Sequence, residues 1–275
     1  MIDENSWIKD VELSQLGEIF LNPEIGDIIK YAHEKNVTLE ADNGVNLNSM
    51  DDELCEAMVR YRFRSMTCSI DGADNETYQL YRRQGDFNRV ISNIRKINEF
   101  KEKYSSEYPH MRWQFVAFGH NEHAIQKARE MAKVLNMEFY VKLSWGNMYT
   151  DAAFSPVNDK DFIRKETGLG AADREEYYRK YGVTFVRGTC FHMWKEPQLN
   201  FDGRVLGCCT NLYGDYGNAF NEGLLNCLNN EKMNYARSML LGKKTERKDI
   251  PCIKCESYRT MKKDKKWLST EEIGI

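Results

Sequence analysis

Apolar positions along the first two-thirds of the chain change their period as they go. Short apolar or alternating runs at 10–14, 37–41, 65–70, 112–118 and 138–143 predict β-strands. Between them the spacing lengthens to that of a helix. Ile25, Ile28, Ile29 and Ala32 share one face of a segment opened by Asn22-Pro23-Glu24, where proline suits a first turn. Residues 51–60 and 124–135 read as further helices. The strongest stripe covers 87–100, with Val90, Ile91, Ile94 and Ile97 in line and Asn98 at its edge. Five strand–helix units predict a parallel sheet with helices outside and a right-handed wind. An open sheet and a barrel both satisfy the pattern. In either, ligands gather beyond the C-terminal ends of the strands. The residues to watch are therefore 15–18, 42–44, 69–72, 119–121 and 144–146. Asn43-Gly44 also reads as a turn closing its strand.

The pattern then changes. Residues 1–150 form the α/β part, and the more polar stretch 151–182 predicts a helical bridge with a charged helix at 171–180. Residues 183–258 are rich in Gly, Asn and Tyr, which suits a small domain of short strands and loops held by a metal site. Residues 259–275 form a basic tail expected to fray.

Composition excludes more than it identifies. A net charge of −3 gives no basic field for nucleic acid. No apolar run approaches the roughly 18 residues of a membrane span, and the N-terminus lacks the apolar core of a signal peptide. Eight cysteines in such a chain read as cytoplasmic thiols or metal ligands rather than a disulfide framework. The basic runs at 243–248 and 262–266 read as solvated surface.

The cysteines carry the sharpest chemistry. Cys55, Cys68 and Cys227 sit in helix or strand patterns and are expected to pack as small apolar residues. Cys190, Cys208, Cys252 and Cys255 differ: the last two form a C-x-x-C after Pro251, and the first two complete a set of four. Four thiolates suit an iron–sulfur cluster or a structural zinc. The wide spacings leave both open, and the absence of any metal as well. Cys209 adjoins Cys208 and competes with it as a ligand. Beside the strand ends, Gly17, Glu18, Asn43, Ser69 and Asp71 are candidate ligand contacts, although Ser and Asp there also suit helix caps. His110, His120, His123 and His192 show no metal-ligand spacing.

Taken together these residues resemble radical S-adenosylmethionine (radical SAM) enzymes with a C-terminal SPASM or twitch domain. Cys190, Gly203 and Cys208 are similar to that domain's C-x(9–15)-G-x(4)-C opening. Asp202-Gly-Arg-Val-Leu-Gly-Cys-Cys209 resembles its hairpin, Gly217-Asn218 the following G-N step, and Cys252/Cys255 its C-x-x-C. Met261 stands where a full SPASM domain would carry its next cysteine, so the resemblance is to the shortened form with one auxiliary [4Fe–4S] cluster. Upstream, Ser14-Gln-Leu-Gly-Glu18 resembles the G-G-E-P segment that meets SAM, departing from it at Leu16 and Ile19. Asp42-Asn-Gly44 resembles T-N-G. Ser69-Ile-Asp-Gly72 with Glu76, Tyr78 and Arg82 resembles the segment beside the SAM ribose and carboxylate, and Asn121-Glu-His123 the N-E-x turn.

The resemblance implies a (β/α)6 barrel lacking its first strand, with SAM near Gly17, Glu18, Asn43, Ser69 and Asp71, and an auxiliary cluster on Cys190, Cys208, Cys252 and Cys255. The family's C-x-x-x-C-x-x-C does not occur in the sequence. The chain is thus expected to represent a partial or degenerate member, inactive by itself. A full-length form is expected to cleave SAM reductively and abstract a hydrogen atom from a peptide or small-molecule substrate. Its further partners would be an external electron donor and a carrier or leader peptide. The alternative is a zinc-stabilised or catalytically dead binding or adaptor module.

Overall fold

The computed structural model describes residues 1–145 and 154–274. The chain divides into two units, Ile2–Glu176 and Tyr177–Ile275, the second joined by Met1. The division falls inside the stretch read as a bridge. The expected boundary between 150 and 151, and Gly146 among the strand-end residues, lie outside the described residues.

In the first unit, β1 (Asp10–Glu12), β2 (Thr38–Val45), β3 (Ser65–Ser69), β4 (His110–Ala117) and β5 (Glu138–Leu143) form one sheet in sequential order. Every neighbouring pair is parallel. A sequential order has no point where the winding reverses, so the sheet is singly wound as in a barrel and unlike a doubly wound sheet. The connections are α1 (Ile25–Glu34), α2 (Asp52–Arg60), α3 (Asn75–Tyr81) with α4 (Phe87–Tyr104), and α5 (Ile125–Val134). Side-chain oxygens of Asp51, Asp74 and Asp86 accept from backbone N–H groups in the first turns of α2, α3 and α4, satisfying donors a helix start leaves free.

Strand periodicity separates the two faces of the sheet. Leu39, Ala41, Met66, Cys68, Trp113, Phe115 and Val141 are buried in one core with Ile29, Met58, Ile94 and Ala128 of the helices. Cys55 and Cys68 lie within it as packing residues. The alternate positions carry Glu12, Glu40, Asp42, Thr67, Ser69, Arg112, Gln114, Tyr140 and Lys142. The sheet thus has an apolar face toward the helices and a polar face away from them.

Three sequence expectations are corrected. Ile28 is 36% exposed, and α1 turns Ile25, Ile29 and Ala32 inward instead. Asn43-Gly44 does not end its strand. β2 continues to Val45 through a register shift between Ala41 and Val45, with Gly44 at φ +123°. A Cβ there would lie 2.6 Å from the Ser69 hydroxyl, so glycine admits the close approach of β3. The basic tail is ordered: α11 (Glu256–Asp264), α12 (Thr270–Ile273) and the segment between them bury Met261, Ile273 and Leu268 in the core of the second unit. Amphipathic spacing outweighs the charge of this segment.

The first unit also contains α6 (Lys160–Glu166), and α7 (Arg174–Tyr181) spans the division. The second unit has little regular strand. Single antiparallel bridges pair Leu199 with Val205 and Arg204 with Asn218. Short helices α8 (Ala219–Glu222), α9 (Leu224–Asn229) and α10 (Glu231–Leu240) follow. Its core gathers Met193, Val205, Tyr216, Cys227, Met233, Met239 and Tyr258 around Cys190 and Cys208.

Candidate functional site

The C-terminal strand ends of the first unit are tied together by carboxylates and side-chain amides. After β1, Glu12 accepts from the Ser14 hydroxyl at 2.6 Å and from the Asp42 N–H at 2.7 Å. Ser14 Oγ accepts from the Asn43 N–H at 3.0 Å. Glu18 reaches across to accept from the Asn46 N–H at 2.7 Å. Burial pushes its carboxyl above the ordinary carboxylate value, against the pull of that bond. Gly17 and Asn43 are exposed at this end, and Ser69 Oγ accepts from Gln114 Nε2 at 3.5 Å.

Asp71 behaves differently from the other candidates. It is 0% exposed, with one carboxylate oxygen 2.6 Å from Arg82 Nε and the other accepting the Val116 N–H at 2.7 Å. Its backbone carbonyl accepts from Asn121 Nδ2 at 3.0 Å, and Asn121 Oδ1 accepts the Phe118 N–H at 2.7 Å. Both residues brace the end of β3 against the end of β4. The Asp71 carboxylate is committed inside the protein and is not offered to a ligand.

On the polar face, Gln114 Oε1 accepts from Tyr140 OH at 2.7 Å and Lys142 Nζ at 2.9 Å. Arg112 pairs with Asp42 at 2.7 Å. Burial pushes the Lys142 ammonium down and the Tyr140 phenol up to about 12. None of Glu12, Arg112, Gln114, Tyr140 and Lys142 was singled out by motif. Their signal was the period-two polar position within strands whose other face is apolar. The His120 ring stacks on Phe118 with centroids 5.3 Å apart, burial pushes its pKa down, and His123 is exposed.

The second unit brings the four expected cysteines together. Cys190 comes from a 3-10 segment, Arg187–Met193, and Cys208 from the bend that follows the bridged residues Arg204 and Val205. Cys252 and Cys255 come from the turn Pro251–Lys254 and the residue after it. All four line one cavity with Met193, Thr210, Leu240, Pro251 and Tyr258. Cys208 lines it and Cys209 does not, because adjacent side chains leave the backbone in different directions. The Tyr216 hydroxyl lies 3.3 Å from Cys252 Sγ, and the Thr210 hydroxyl 3.5 Å from Cys208 Sγ. Burial, with the neighbouring thiols, pushes Cys190, Cys208 and Cys252 up, the last to about 12. A metal would displace these protons as it bound. The thiols enclose only about 20 Å³, room for one water-sized group. Among the described residues no three His, Cys, Asp or Glu side chains are drawn together tightly enough to hold a metal ion as they stand. The donor chemistry therefore fits a thiolate-bound group, while the space is not preformed for one.

No family model and no curated protein matches the sequence. Solved structures do. Streptococcus suis SuiB bound to S-adenosylmethionine aligns over 89% of this chain at 14% identity with a TM-score of 0.55. The chain shares its fold with SuiB. SuiB bound to its precursor peptide SuiA aligns over the same share at 14% identity and a TM-score of 0.54. The chain spans 59% of the length of SuiB.

Proposed function

We propose that the chain is a radical SAM/SPASM-type protein whose second unit holds one auxiliary [4Fe–4S] cluster on Cys190, Cys208, Cys252 and Cys255. The observation that carries this reading is the convergence of four thiols, from three separate segments of the chain, on one cavity. The likeness of the chain's fold to SuiB bound to S-adenosylmethionine, with the motifs that resemble radical SAM enzymes, favours a cluster over zinc. Such a cluster supplies one-electron chemistry when bound. The protein's part is to ligate through the thiolates, to exclude water with Met193, Leu240 and Pro251, and to set two hydroxyls against the sulfurs. Loading would open the wall at Cys252 and Cys255, which are half-buried rather than sealed.

In the first unit Gly17, Glu18, Asn43 and Ser69 would meet SAM, with Asp71 holding Arg82 and the strand ends in place. The polar face would carry the substrate, and the SuiA complex of SuiB favours a peptide over a small molecule. With a C-x-x-x-C-x-x-C segment present, SAM would be cleaved reductively and a hydrogen atom taken from that substrate. An external electron donor and a leader or carrier peptide would take part. Among the described residues no helix is long and apolar enough to cross a membrane, and a cytoplasmic site of action is part of the proposal. Without a C-x-x-x-C-x-x-C, these 275 residues are expected to release no 5′-deoxyadenosine above a protein-free control.

Anaerobic reconstitution tests the cluster. The expected product has about four irons and four sulfides per chain and absorbs near roughly 400 nm. A colourless product with tightly held zinc would replace this reading with a zinc-stabilised binding or adaptor module.

A further inference from the structure

We propose that Tyr216 is a positioning residue that donates a hydrogen bond to the Cys252 sulfur and raises the reduction potential of the group bound there. The proposal rests on the cluster reading above. Tyr216 is 0% exposed, and its hydroxyl lies 3.3 Å from Cys252 Sγ. In a free thiol either atom donates. A metal-bound thiolate has no proton, so the hydroxyl is then the only donor of the pair. Hydrogen bonds to cluster sulfurs are among the terms that set iron–sulfur potentials. They favour the more negative reduced state by spreading charge off the sulfur.

The surroundings fix the phenol in this role. Its backbone N–H donates to the Val205 carbonyl at 2.7 Å, and its carbonyl accepts from Asn230 Nδ2 at 2.6 Å. The ring lies against Gly207, at φ +82°, where a Cβ would come within 2.8 Å of it. The hairpin thus leaves room for a large ring by keeping a glycine beside it, and the ring's length carries the hydroxyl to the sulfur. Thr210 faces Cys208 at 3.5 Å, a longer contact that supplies an internal comparison.

The test is Tyr216→Phe, which removes the oxygen and keeps the ring. Wild type and Y216F are reconstituted anaerobically, assayed for iron and sulfide, and titrated electrochemically with resonance Raman spectra of the Fe–S(Cys) stretches. The expected result is equal iron and sulfide, a more negative potential in Y216F and an upward shift of a Cys-ligand stretch. Equal loading with unchanged potential and spectra would overturn the proposal. So would Y216F loading less than half the iron of wild type, because a tuning residue leaves the four ligands intact. Wild-type protein that takes up no iron would overturn the cluster reading itself, a different result visible before any comparison of variants.

Discussion

The two units differ in what lines their candidate sites. In the first, charges meet charges of this chain: Arg64 with Asp10 and Glu40, Arg112 with Asp42, and Arg82 with Asp71. In the second, four thiols line one cavity, with the Thr210 and Tyr216 hydroxyls set against two of the sulfurs. A small domain with so little regular strand buries a modest fraction of its surface and gains from a bound group. The first unit ties its strand ends with ion pairs of its own, and the second is the one proposed to be finished by a bound group.

The largest expected effect breaks the second unit alone. A Cys252→Ser, Cys255→Ser chain should lose essentially all reconstituted iron. Its amide protection should collapse across residues 190–258 while β2 to β4 keep theirs, since local units open separately when their stabilising contacts are separate. Hydrogen exchange read by mass spectrometry on both reconstituted proteins measures this. Loss of protection in both units together would end the contrast.

Next in size is a break in the first unit. Asp71→Ala leaves Arg82, 24% exposed, without its carboxylate and the Val116 N–H without its acceptor. Removing one partner of a buried pair costs about 3–5 kcal/mol, and the partial exposure of Arg82 argues for the lower end. Asp71→Asn keeps one acceptor and should cost less. The midpoint of urea unfolding followed by tryptophan fluorescence should fall in that order. A midpoint for Asp71→Ala within error of wild type would mean the brace is not structural, and would return Asp71 to the ligand-contact role read from its motif.

That last contrast shows what the sequence could and could not disclose. Strands and their helices were legible because period two and period 3.6 leave different apolar spacings, and Val90, Ile91, Ile94 and Ile97 fell where the stripe placed them. The four thiols were legible as a set from the C-x-x-C and the hairpin pattern. Asp71 was not, because its sequence reports a carboxylate after a strand but not that Arg82, beyond α3, and Val116, on the next strand, engage its two oxygens. Gly44 misled for a related reason: a glycine that admits Ser69 of the next strand looks the same as one that makes a turn. The polar face was visible residue by residue but acquired meaning only once the helices were known to cover the other side.

The smallest prediction concerns the exception within the first unit. Glu18 is partly buried with backbone N–H donors from Asn46 and Phe20 and, among the described residues, no ion pair, and burial raises its carboxyl above the ordinary value of 4.5. A folded-state pKa above the unfolded one means the folded chain holds a proton that the unfolded chain has already released. Stability from this group is therefore fully present below the unfolded value and declines as pH rises through the folded one. Glu18→Gln removes the titration and keeps an oxygen to accept from Asn46. The wild-type unfolding free energy minus that of E18Q should become more negative as pH rises above 4.5, with a small total change. If wild type instead gains on E18Q across that range, the distant Arg82 charge compensates the carboxylate more than burial penalises it. Glu18 would then join Asp71 and Asp42 among the charge-compensated carboxylates of the strand ends.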